Sequence, residues 1–178
     1  MKMSPKLKLG VVCVFIFLTW KPGPLSASFS ASEQPSCGAP EYKEFDFWVG
    51  DWGAFEAGST TPAARVQVDR LLDGCVLREQ YAGADGHKGQ SLSIYDSSRK
   101  VWHQSWFTNR GELLVIEGTL QSGAMVLTGA DRLADGKERR VRGIWKPEAN
   151  GIRETAVTST DGGKTWTPWF DLIFRPHR

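Results

Sequence analysis

Phe45-Asp46-Phe47-Trp48-Val49-Gly50-Asp51-Trp52 puts four aromatic residues into eight positions and ends on a Gly-Asp-Trp step. Phe45, Phe47 and Trp48 cannot share one face of a strand, because strand side chains alternate with a period of two. The segment before Gly50 is therefore expected to wrap as a short turn or 3₁₀ helix, with a strand starting at Gly50. Each such ring removes about 150–250 Å² from water when buried. The octapeptide is thus a candidate plug for a core, with Trp48 and Trp52 as its structural anchors.

Beyond Trp52 the chain is punctuated at short intervals. Asp73-Gly74 and Asn150-Gly151 read as two-residue hairpin dipeptides, since both central positions of a type I′ turn need positive φ. Further turn signals lie at residues 58–62, 83–89, 97–98, 109–111, 122–123, 131–136 and 161–163. Nine turns imply about ten strands. The intervening segments alternate: Val66 and Val68 against Arg65, Gln67 and Asp69; Leu92 and Ile94 against Ser91, Ser93 and Tyr95. Cys75, Leu77, Glu79 and Tyr81 share one face, and so do Trp102, Gln104 and Trp106, opposite His103 and Ser105. Val141, Gly143 and Trp145 lie opposite Arg140, Arg142 and Ile144, and the last strand carries Trp166, Phe170, Leu172 and Phe174 on one side. No segment of ten residues has a convincing helical period, so the crossovers that parallel strands require are missing. Sequential hairpins make a meander, and ten strands leave two bare edges unless the sheet closes. The expected fold is an all-β, antiparallel, up-and-down barrel of about ten strands with a short N-terminal plug.

The first 28 residues read as a signal peptide, residues 29–40 as a Ser/Ala/Pro linker, and residues 41–178 as the barrel domain. Lys2, Lys6 and Lys8 precede an apolar run at residues 9–20, followed by Pro22, Pro24 and the small residues 26–28. Twelve apolar residues are too few to span a bilayer comfortably; an uncleaved signal anchor is the alternative. Cleavage removes Lys2, Lys6, Lys8 and Lys21 and no acid, so the 22 basic residues fall to 18 against 20 acidic ones. The mature net charge is near −2, and no basic patch points to nucleic acid. Export to a periplasmic or extracellular space leaves Cys37 and Cys75 in oxidising surroundings, where a disulfide is expected, two buried thiols being the alternative.

Gly50-Asp51-Trp52 after an aromatic lead resembles the Gly-x-Trp signature of lipocalins and other calycins. In that superfamily the Trp closes the barrel base under an Arg from near the end of the barrel, a role the resemblance assigns to Arg175. The wider set, Cys37-Gly-Ala-Pro-Glu-Tyr, Phe45-Asp-Phe-Trp-Val-Gly-Asp-Trp, Asp73-Gly-Cys-Val-Leu-Arg-Glu, Trp102-His-Gln-Ser-Trp and Ser159-Thr-Asp-Gly-Gly-Lys-Thr-Trp, resembles a family of exported, mostly bacterial, lipocalin-like proteins. No reaction is established for that family, so the resemblance implies a fold rather than an activity. Ala156 stands where a large aromatic is expected, and the Phe-Arg-Pro ending departs as well. Residues 159–166 also match one Asp-box of the sialidase-type propellers. A single copy marks a hairpin, with Asp161 accepting turn N–H groups and Trp166 packed beneath.

Glu79, Trp102, Gln104, Trp106, Trp145 and Glu154 are the residues expected to line a cavity. Small barrels alternate inward and outward residues, and an inward polar group needs a partner or a ligand. A glutamine between two indoles is a polar handle in an aromatic slot, which points to a small, partly apolar ligand. Two alternatives stand beside it: indoles that fill the lumen of an interaction module, and an enzyme using Glu79 and Glu154 as acid and base. His87, His103 and His177 lack the spacing of a metal site, and no motif for a cofactor, nucleophilic serine or phosphate loop is present. Neither a metal nor a cofactor is expected, and nothing in the pattern sets an oligomeric state. If residues 1–28 are a cleaved leader, intact-mass measurement of the exported chain places its N-terminus at Phe29; retention of Met1 in a membrane fraction would establish the anchor instead.

Overall fold

The structure is a computed structural model that describes residues 37–177. The expected signal peptide and most of the expected linker lie outside the described residues. Ten strands follow one another: β1 (Gly50–Glu56), β2 (Ala64–Leu71), β3 (Val76–Gly83), β4 (Lys88–Asp96), β5 (Val101–Thr108), β6 (Leu113–Gln121), β7 (Ala124–Arg132), β8 (Glu138–Glu148), β9 (Gly151–Ser159) and β10 (Thr167–Pro176). Each pairs antiparallel with its neighbour in sequence, and β1 pairs with β10, so the sheet closes into a barrel. Closure leaves no strand edge without a partner.

The octapeptide behaves as its spacing predicts. Asp46–Trp48 form a 3₁₀ turn, a second one spans Pro40–Lys43, and β1 begins at Gly50. Together they plug the foot of the barrel. The Phe45 ring is fully buried, 5.7 Å from Trp102 and 5.6 Å from Trp145, both in edge-on geometry. Trp48 meets Phe174 edge-on at 4.6 Å and stacks on Trp52 at 6.3 Å. Tyr42 meets Tyr95 at 5.3 Å, Arg70 of β2 pairs with Asp46, and the Trp102 indole donates to Glu44 at 3.2 Å. With Val68, Leu77, Met125 and Ile152 buried around these rings, the lower half of the barrel is solid core.

Trp52 is closed off by the plug and not by Arg175. Its indole N–H donates to the Trp48 carbonyl at 3.0 Å, while the Arg175 guanidinium lies over Phe55 at 4.7 Å. The register explains the difference from the lipocalin expectation: Arg175 lies opposite Gly53 and Trp52 opposite Pro176, so Arg175 shares the outer face with Phe55. Gly50 is required for its own reason: a Cβ there would stand 2.6 Å from the Trp52 ring, which lies flat over it.

Two turns differ from expectation. The β2–β3 link is four residues long, with Leu72, Asp73 and Gly74 all at positive φ. The β8–β9 hairpin turns on Ala149-Asn150, because Glu148 pairs with Gly151. β10 also carries a bulge between Pro168 and Phe170, which reverses the alternation. Phe170, Leu172 and Phe174 therefore face inward, whereas Trp166 lies outside, under the Arg142 guanidinium at 4.2 Å.

Cys37 and Cys75 form a disulfide that fastens the lead of the plug to the β2–β3 link. Their 38-residue separation corresponds to about 4 kcal/mol in the chain-entropy account. Replacing both by serine is expected to lower the unfolding free energy by about 2–5 kcal/mol, read as a drop in the urea midpoint. Phe45→Ala, which empties the centre of the plug, is expected to cost about 3–5 kcal/mol by the same measurement. A midpoint unmoved by Phe45→Ala would show that the plug does not hold the barrel together.

Candidate functional site

Above the solid lower half, alternation turns a different set of residues inward. β3 presents Glu79 and Tyr81, β4 presents Ser91 and Ser93, and β5 presents Gln104 and Trp106. From the opposite wall β9 presents Glu154 and β8 presents Trp145, which are directly paired. Leu114 and Leu172 complete the apolar lining. The lower members are sealed, with Trp102 at 1% and Gln104 at 3% exposure. Tyr81, Trp106, Leu114, Glu154 and Leu172 face inward and are only partly buried, unlike the sealed residues below them.

Glycines shape this space. A Cβ at Gly89 would lie 2.2 Å from the Trp106 ring, and one at Gly143 2.7 Å from the Trp145 ring. Both indoles therefore lie flat along the wall over glycine, instead of projecting across the lumen. Tyr81 meets Trp106 edge-on at 6.0 Å, forming an aromatic corner on the β3–β5 side.

The polar groups form two hydrogen-bonded pairs. Ser91 donates to the Glu79 carboxyl at 2.8 Å, and the Gln104 amide donates to Ser93 at 3.1 Å. Burial pushes the Glu79 carboxyl up to about 7, the Ser91 hydroxyl offsetting only part of that. Glu154 is raised well above the usual carboxyl range, first by burial and then by the negative charge of Glu79. The Trp145 indole N–H faces Glu154 and acts the other way, yet it makes no hydrogen bond of good geometry.

Charges on the wall contrast with this. Asp51, Asp69, Glu117 and Asp171 face outward, each gripped by both arms of an arginine: Arg65, Arg78, Arg99 and Arg153. At the upper rim Arg139 is paired to Asp131 and lies over the bulged Trp169 at 4.5 Å. Among the described residues Glu79 and Glu154 have no such cation. Two concavities lie elsewhere, one of about 550 Å³ on the outer wall of β2–β5 and one of about 260 Å³ by the β8–β9 hairpin. Neither is lined by Glu79 or Glu154.

All six residues expected to line a cavity face inward, but they divide. Trp102 belongs to the plug core, Trp145 bridges core and lumen, and Glu79, Gln104, Trp106 and Glu154 line the space above. Tyr81, Ser91 and Ser93 escaped the sequence reading as site residues. Leu92 and Ile94, each 40% exposed, are the outward members of β4, so hydrophobicity alone misjudges that strand's phase. The signal that finds it is register: Ser91 is opposite Glu79, and Ser93 is opposite Gln104. Asp161 behaves as the single Asp-box predicts, accepting from Ser159, Lys164 and Thr165 at 2.6–3.0 Å, while the Trp166 indole donates to Gly163 at 3.0 Å. His103 lies on the outer wall between Glu117 and Ser105, 2.9 Å from each. No three His, Cys, Asp or Glu side chains converge on a metal-sized point among the described residues.

Compared with known proteins, the chain matches no protein-family model, and no curated protein is significantly similar to it.

The carboxyl band has a stability signature. A carboxyl whose pKa is raised on folding binds more protons in the folded than in the unfolded state, so its contribution is fully present below about pH 4.5 and is lost as pH rises through about 7. For Glu79 the shift corresponds to about 3 kcal/mol across that window. Glu79→Gln is therefore expected to stabilise the protein relative to wild type at pH 8 and to flatten the mutant-minus-wild-type difference below pH 5. Urea titrations at pH 4.5, 6 and 8 check this, and a pH-independent difference would remove the buried-carboxyl assignment.

Proposed function

We propose that this protein is an exported, lipocalin-like barrel that binds a small, partly apolar molecule in its upper lumen. The observation that carries the reading is a set of enclosed polar groups without cationic partners among the described residues, walled by indoles laid flat over glycines and by inward side chains that are only partly buried. Burying such groups is costly unless something hydrogen-bonds them. Trp106 and Tyr81 would supply shape and stacking, and Gln104, Glu79 and Glu154 would orient the ligand. The disulfide supports export to an oxidising compartment. Among the described residues no helix is long and apolar enough to cross a membrane.

The raised carboxyls also favour a second reading, in which one acts as acid and the other as base on a bound substrate. That reading requires turnover lost in both Glu79→Gln and Glu154→Gln, whereas a binder shows none to lose.

Leu114→Trp distinguishes a usable lumen from a filled one. Leu114 faces inward opposite Trp106 and is only partly buried. In an open lumen the larger ring is expected to cost less than about 1 kcal/mol and to abolish ligand adducts in native mass spectra of protein purified from its own host. A filled lumen would be overpacked and lose about 1–3 kcal/mol, which would exclude the binding proposal.

A further inference from the structure

The lumen's chemistry narrows the class of ligand, on the premise that the upper lumen is a binding site. We propose that it takes a small organic cation, a protonated amine on a single ring or short alkyl body, held between Glu79 and Glu154 with its apolar part against Trp106 and Tyr81. Three observations converge on this. The two carboxyls face one lumen from opposite walls, and the groups around them supply no positive charge: Ser91 from β4, Tyr81 from β3 and Trp145 from β8 are all neutral, and Glu56, on the inward face at the end of β1, adds another acid. Arg139, on the inward face at the upper rim, is already paired with Asp131. The Trp145 indole N–H, on a side chain only 4% exposed, faces Glu154 and has no partner.

A cation would resolve all three. An ammonium between the carboxyls supplies the missing counter-charge and keeps both ionised. An ionised Glu154 in turn offers the unpaired indole N–H a charged acceptor, a stronger bond than a neutral carboxylic acid makes. Trp106 and Tyr81 add ring faces, to which cations are attracted. A metal ion is the poorer fit: the aromatic rings leave most coordination positions without oxygen donors, and no three acids or histidines converge on a metal-sized point among the described residues.

Isothermal titration with 2-phenylethylamine and with 2-phenylethanol, near-equal in shape, isolates the charge. At pH 8 the amine is expected to bind at least tenfold tighter than the alcohol to the wild-type chain. Glu79→Gln and Glu154→Gln are each expected to weaken the amine at least tenfold and to leave the alcohol within twofold, with near-ultraviolet circular dichroism confirming the fold. Equal affinity for the two probes, or an amine affinity unmoved in both variants, overturns the cation assignment while leaving the lumen as a site. No binding of either probe also overturns it, and Leu114→Trp then decides separately whether the lumen is open. The wild-type comparison needs no variant, so a failure of either substitution to fold does not shelter the proposal.

Discussion

Closure of the ten-stranded sheet depends on what fills its foot. A closed barrel satisfies its backbone by pairing β1 with β10, but its interior must be either filled with side chains or left to water. Phe45, wedged between Trp102 and Trp145, with Trp48 against Phe174, fills one half with rings from a segment outside the sheet. That segment reaches its place because the Pro40–Lys43 and Asp46–Trp48 turns fold it back under the strands, and the Cys37–Cys75 bridge and the Arg70–Asp46 pair hold it there. With the aromatic plug filling the foot, the inward faces above it carry groups that do not stabilise the fold.

Those groups oppose folding in a measurable way. A carboxyl raised from 4.5 to about 7 is one whose charged form the interior disfavours, and each pH unit of that shift is 1.36 kcal/mol. On the outer wall the same residue types are arranged in the opposite sense, as two-armed arginine–carboxylate pairs, three between neighbouring strands and one from the β4–β5 turn to β6. The chain has arginines to spare and places none against Glu79 or Glu154 among its described residues. Buried polar groups left incomplete in a fold are sites where something else completes them, which is why the lumen and not the larger outer concavity is the candidate site.

Much of this architecture was legible in the residues. Nine turn signals gave ten strands; the crowding at Phe45, Phe47 and Trp48 marked the plug; and alternation put Glu79, Gln104, Trp106 and Trp145 on inward faces. The failures share a cause. Arg175 was matched to Trp52 by resemblance, but pairing places it opposite Gly53, on the outer face. Trp166 shares its parity with Phe170, but the bulge at Pro168 reverses it. Ser91 and Ser93 were outranked by Leu92 and Ile94, because a half-polar lumen inverts the usual link between apolarity and the inside.

The amino-acid sequence by itself determined the strand count, the meander and the aromatic plug, because alternation, turn chemistry and ring size are properties of short stretches. Only the tertiary structure decided the inward faces of β4 and β10, that β8 and β9 bring Trp145 and Glu154 to the lumen that Glu79 enters from β3, and that no arginine pairs with those carboxyls among the described residues. Those outcomes depend on the register of strands far apart in the chain. A shift of one residue in that register exchanges inside for outside along a whole strand.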